Sequence, residues 1–174
     1  IWQHILNQVI VVGGSAAADK LAKNEDLKEK ISYENIKALD ERKLEEIINE
    51  MLHEINARYT SDDIAKCRKT KALVYNLKML MSFRHGPKCF LRRISELKSK
   101  NIKINYLMRT MSYFKSKGAR DFLMELGLEK NAIALDTRIT NILRCVGIDV
   151  PDDFIRDYDK IERENKILIY TPKV

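Results

Sequence analysis

The chain has 174 residues, 45% hydrophobic and 33% charged, with six Gly, three Pro and a formal net charge of +7. That length suits one domain with a sizeable core, and no run of about 18 apolar residues offers a membrane span. Three cysteines, Cys67, Cys89 and Cys145, are odd in number and widely spaced, which fits neither a disulfide framework nor a zinc site and leaves reduced thiols in a cytosolic protein as the expectation.

Helical periodicity dominates from end to end. The apolar patch Val9–Val12 stops at Gly13-Gly14 without a preceding basic segment, so it does not read as a signal peptide. Ser32 is placed to cap a short helix over Glu34–Leu39. After Asp40, a preferred N-cap, Leu44, Ile47, Ile48, Met51, Leu52 and Ile55 recur on one helical face with charges between them. Thr60 or Ser61 is expected to open the next helix, Asp62–Leu80, with acids in its first turn where the dipole favours them. Gly86-Pro87 breaks the chain, and Pro87 suits the first turn of a helix to about Ser99. Asn101 is read as punctuation before a helix over Asn105–Ser112. A turn follows at Tyr113–Ser116, then a helix from Lys117 to Leu126 closed by Gly127. Asp136 is expected to cap a helix ending near Gly147, and Asp149-Val150-Pro151 to start a last one, Asp152–Glu164. The tail from Lys166 to Pro172 reads as a short strand or a frayed end. No other segment alternates with period two, so the expected fold is all-α, with about nine or ten helices and no repeats.

Charge is unevenly spread. Residues 1–65 carry eight basic and thirteen acidic side chains (−5), residues 66–120 sixteen basic against Glu96 alone (+15), and residues 121–174 eight against eleven (−3). A basic middle third in an otherwise acidic chain is the footprint of a surface that follows a polyanion. His4, His53 and His85 are scattered; neither metal-ligand spacing, nor a Gly-rich nucleotide loop, nor a Ser/His/Asp triad is visible.

One stretch carries chemistry. Lys117-Gly118-Ala119-Arg120-Asp121-Phe122-Leu123 and, after a short gap, Ala134-Leu135-Asp136-Thr137-Arg138 place an amine near one helix start and a carboxylate at the mouth of the next. An amine and a carboxylate brought together in a cleft can form an imine and steady the positive charge that develops. Asp121 falls one turn after Lys117, at the i, i+4 spacing of an ion pair.

The same residues resemble the helix-hairpin-helix superfamily of DNA glycosylases, most closely its 8-oxoguanine glycosylase/lyase branch. The resemblance implies two helical lobes with the active site between them: residues 15–136 in one, with the hairpin near 105–126, and residues 1–14 plus 137–174 in the other. It implies Lys117 as nucleophile and Asp136 as its catalytic partner. Packing of Phe122 and Leu123 would hold Lys117 at the lobe interface, where desolvation supplies the neutral amine. In the family a glycine-hydrophobic-glycine turn before the lysine aims backbone N–H groups at a phosphate. Here Tyr113-Phe114-Lys115-Ser116 stands in its place, and Tyr113 and Lys115 enter positive φ less readily than glycine. A distorted turn is therefore expected, with Lys115 supplying an ionic contact and Ser116 a further one. Arg68, Lys69 and Lys71, at a helix start with a counterpart in relatives, would touch phosphates without sequence preference. Gln8, with Asn7, falls where relatives place a polar residue that fills the gap left by an extruded base. Some relatives hold an iron–sulfur cluster on four cysteines near the C-terminus; this chain lacks them, so neither a cluster nor another cofactor is expected. The implied protein is a monomeric, nucleoid-associated enzyme acting on damaged double-stranded DNA. Its rivals are a glycosylase/lyase for oxidised pyrimidines or abasic sites, and a non-catalytic helical DNA-binding protein.

Overall fold

A computed structural model of the chain describes residues 1–130, 132 and 137–147. Among these residues the fold is all-α, with no strand. The helices are α1 (Trp2–Ile10), α2 (Ala16–Lys23), α3 (Glu25–Lys30), α4 (Tyr33–Ile36), α5 (Glu41–Glu54), α6 (Arg68–Met81), α7 (Pro87–Ser95), α8 (Lys100–Thr110), α9 (Ser116–Glu125) and α10 (Thr137–Cys145), with one 3₁₀ turn at Ile64–Lys66. The expected helix over Asp152–Glu164 and the tail after it lie outside the described residues.

Some helices use the side-chain cap the sequence offers, whereas Ser32 precedes α4 without forming a side-chain cap bond. The Asp40 carboxylate accepts the Lys43 N–H at 3.0 Å, and α5 then buries Leu44, Ile48, Met51 and Leu52. The Asn24 side chain accepts from the Leu27 N–H at 3.0 Å and opens α3. Pro87 occupies the start of α7, preceded by Gly86 at φ +55. A Cβ on Gly86 would stand 2.5 Å from the Tyr33 hydroxyl, so glycine is needed there for space as well as conformation. At the end of α9 the Gly127 N–H bonds the Met124 carbonyl at 3.0 Å and the Leu128 N–H the Leu123 carbonyl at 2.8 Å, the paired bonds of a Schellman cap.

Several helix boundaries differ from expectation. The helix expected from Asp62 starts only at Arg68, because the Asp63 carboxylate accepts the Ala65 N–H at 3.0 Å and closes a single tight turn instead. The helix after Pro87 ends at Ser95, and Ser99 opens α8 by accepting from the Ile102 N–H. Asn101 therefore lies inside the first turn of α8 rather than before it. The helix after Ser32 stops at Ile36.

The chain divides into two compact units, 1–114 and 115–174. In the first, both α1 and α5 pack on α6. Ile5, Leu6, Val9 and Ile10 of α1 and Leu73, Leu77 and Leu80 of α6 are buried, each contributing about 1.5–3 kcal/mol. α1 belongs to the first unit, which it joins through its apolar face. In the second unit Ala119, Phe122 and Leu123 form the buried side of α9.

Candidate functional site

The turn ahead of α9 is fixed from within the first unit. Asn76, fully buried on α6, donates from Nδ2 to the Ser112 carbonyl at 3.1 Å and accepts the Ser112 N–H on Oδ1 at 2.7 Å. One side-chain amide thus satisfies both backbone groups of the residue that starts the turn. The next residue, Tyr113, takes φ +68. Tyrosine holds this left-handed conformation at a cost of about 1–3 kcal/mol. Phe114 is buried, and Lys115 is exposed in extended backbone as the N-cap of α9, forming no side-chain cap bond. Its side chain therefore does not close off the first N–H groups of the helix.

Lys117 sits in the first turn of α9. Its Nζ lies 2.5 Å from Oδ2 of Asp121, and their side chains are 44% and 23% exposed. The desolvated amine expected from the sequence is instead half-exposed and held by a carboxylate one turn on. On the same helix, Arg120 is buried and its Nε donates toward the Ser116 hydroxyl at 3.4 Å. Ser116 thereby has a use inside the helix besides any contact with a ligand. Asp136 lies outside the described residues.

The basic element at the start of α6 separates into two kinds of residue. Arg68 and Lys71 are exposed. Lys69 is fully buried, its Nζ donating to the carbonyls of Ile10 at 3.0 Å and Val12 at 2.7 Å. The phosphate contact expected of Lys69 is corrected here: its amine closes the C-terminal end of α1, and burial lowers its pKa, partly opposed by the nearby Cys67 thiol. Burial also pushes the Cys67 thiol up, but hydrogen bonds from the Thr70 hydroxyl and from the N–H groups of Thr70, Ser61 and Lys69 outweigh it and hold the thiol below its usual value. Gln8 is buried on the core side of α1, and half-buried Asn7 accepts from Gln3 Nε2 at 3.3 Å. The side chain expected to fill a gap in DNA therefore faces the core.

Asn76 was not singled out from the sequence, although a polar residue at the helical spacing of Leu73, Leu77 and Leu80 signals a buried partner. Among the described residues no three His, Cys, Asp or Glu side chains gather as metal ligands, and no helix is long and apolar enough to cross a membrane. Compared with protein families, curated proteins and solved structures, the chain gives no match.

Proposed function

We propose that the chain is a DNA base-excision enzyme, a glycosylase with AP lyase activity, whose nucleophile is Lys117. The observation that carries the reading is the Lys117–Asp121 pair, 2.5 Å apart on the first turns of a helix that follows a left-handed turn. Chemistry at a glycosidic carbon requires the nucleotide to leave the stack. Exposed cations of the 66–120 stretch hold the duplex backbone, and Lys115 with the N-terminal N–H groups of α9 takes a phosphate. Asp121 accepts the ammonium proton of Lys117, and the neutral amine attacks C1′. The C1′–N bond breaks, and the base leaves with the electron pair and is protonated. Loss of a further proton and ring opening give the imine, from which abstraction of a C2′ proton expels the 3′ phosphate. Asp136, by resemblance to the family, stabilises the sugar cation. The same resemblance makes 8-oxoguanine the base removed; oxidised pyrimidines or bare abasic sites are the alternative substrates. A second reading, a non-catalytic helical DNA-binding protein, draws on the 44% exposure of the Lys117 side chain.

Borohydride trapping separates the readings. Wild-type protein incubated with duplexes bearing 8-oxoguanine, an oxidised pyrimidine or an abasic site should be captured covalently on at least one of them. Lys117→Gln should bind DNA and never be captured, whereas Lys115→Gln should bind more weakly and still be captured. Capture of Lys117→Gln would move the nucleophile elsewhere. No capture of wild type on any duplex would leave the DNA-binding reading alone.

A further inference from the structure

A cleft of about 1030 Å³ opens on the first unit, where the start of α1, the α3–α4 segment and the α6–α7 turn meet. Its walls are fixed from both sides. The Trp2 indole N–H donates to the Ile31 carbonyl at 2.9 Å, which joins the start of α1 to the residue after α3. Opposite, the Gly86 N–H bonds the Phe83 carbonyl at 2.8 Å and closes the α6–α7 turn, while Phe83 stands edge-on to Phe90 with 5.6 Å between ring centroids. Tyr33 of α4 reaches across, its hydroxyl lying against Gly86. Walls held in this way are formed before a ligand arrives, which keeps the cost of binding low.

The lining combines two chemistries. Tyr33, Phe83 and Pro87 are half-buried, and Ala38 and Met81 are exposed, Met81 at 42%. Methionine adapts its shape to varied apolar partners. Among them lie four long cations, Lys28, Lys37, Arg84 and Lys88, against one carboxylate, Glu34. The two sides differ in what those cations already hold. Lys28 pairs with Glu25 at 2.6 Å and Lys37 pairs with Glu34, each with an acid three positions away. Arg84 and Lys88 on the α6–α7 side are exposed and form no ion pair among the described residues.

We propose that this cleft is a docking site for an acidic peptide segment of a partner protein. An apolar side chain of the peptide rests on the lining formed by Tyr33, Met81 and Phe83, and its carboxylates face Arg84 and Lys88. A bare polyanion would engage the cations and leave the apolar lining unused, and a purely apolar segment would do the reverse. A segment carrying both matches the whole lining, with an apolar centre and a charged rim. The inference is independent of the DNA-enzyme reading and adds a protein partner to it.

The test is fluorescence anisotropy of the full chain with three labelled peptides: four aspartates followed by Leu-Phe, the same aspartates followed by Gly-Gly, and four lysines followed by Leu-Phe. The first should bind about tenfold tighter than either of the others. Arg84→Glu combined with Lys88→Glu changes two exposed side chains and should weaken that peptide about tenfold. Lys28→Gln, whose charge Glu25 already meets, should change its affinity by less than about twofold. Met81→Gln should weaken it several-fold and leave the affinity for duplex DNA as in wild type. If the Gly-Gly peptide binds as well as the Leu-Phe one, the apolar lining has no part and the inference falls. Unchanged affinity in the Arg84→Glu, Lys88→Glu variant would overturn it as well. Displacement of the peptide by a single-stranded oligonucleotide, with Met81→Gln without effect on either, would make the cleft a nucleic-acid surface and end the peptide reading while the DNA reading stands.

Discussion

Lys69 shows how one residue changes the meaning of a motif. In Cys67-Arg68-Lys69-Thr70-Lys71-Ala72 three cations look alike, yet Lys69 shares a helical face with Leu73, Asn76, Leu77 and Leu80. All of these are buried. The periodicity that locates the core of α6 therefore already separated Lys69 from Arg68 and Lys71. A lysine there reads as phosphate-binding only while its position on the helix is ignored. Its chemistry gives a signed expectation. Folding lowers its pKa below the ordinary 10.5, so the unfolded chain holds the proton more tightly and stability is gained as pH rises toward that value. Cys67, also lowered on folding, from 9.0, contributes in the same direction. Urea midpoints of Cys67→Ser and of Cys67→Ser with Lys69→Met, taken from neutral pH upward, isolate the lysine. The parent should gain on the Met variant as pH rises. A constant gap would show that protonation of Lys69 is not coupled to folding.

At the scale of elements, the legible parts are those decided within a few residues. The cap at Asp40, the proline start of α7 and the glycine stop of α9 each depend on neighbours in sequence, and each stands within a residue or two of where it was expected. The α6 start moved because the Asp63 side chain competes with the helix for backbone N–H groups, a contest between two local patterns that composition does not rank. The turn before α9 was expected at Tyr113–Ser116, but what holds it was illegible for a different reason. Its left-handed Tyr113 follows Ser112, which is held by Asn76 thirty-six positions away, and no local rule anticipates so distant a clamp. Asn76→Ala should therefore destabilise the fold by about 2–4 kcal/mol, from two lost bonds and two backbone groups left without partners. It should also slow capture by borohydride at saturating DNA, because Lys117 is carried by the helix that this turn introduces. Unchanged capture rates in a folded Asn76→Ala variant would show that the turn geometry does not set the position of the amine.

Across the whole molecule the charge asymmetry was the clearest signal, and the structure refines what it means. Of the sixteen cations in residues 66–120, Lys69 and Arg120 are buried. Lys66, Lys78 and Arg92 pair with Asp63, Glu41 and Glu96 at 2.6–2.8 Å, exposed pairs that contribute little to stability. Arg68, Lys71, Arg84, Lys88, Arg93, Lys98, Arg109 and Lys115 are exposed and form no ion pair among the described residues. If these hold a polyanion, duplex affinity should fall steeply with salt, log K against log salt having a slope of about −0.9 for every phosphate contacted. The variants then sort by burial and not by charge. Arg68→Gln and Lys71→Gln should each weaken binding to all duplexes alike and make the slope shallower by about one contact. Lys69→Met removes an equal formal charge from the same turn, yet its amine faces two carbonyls of the protein. Where that variant remains folded, it should leave the slope unchanged. Equal effects from all three substitutions would mean that Lys69 reaches DNA after all. A flat salt response from the wild-type chain would remove nucleic acid as its partner.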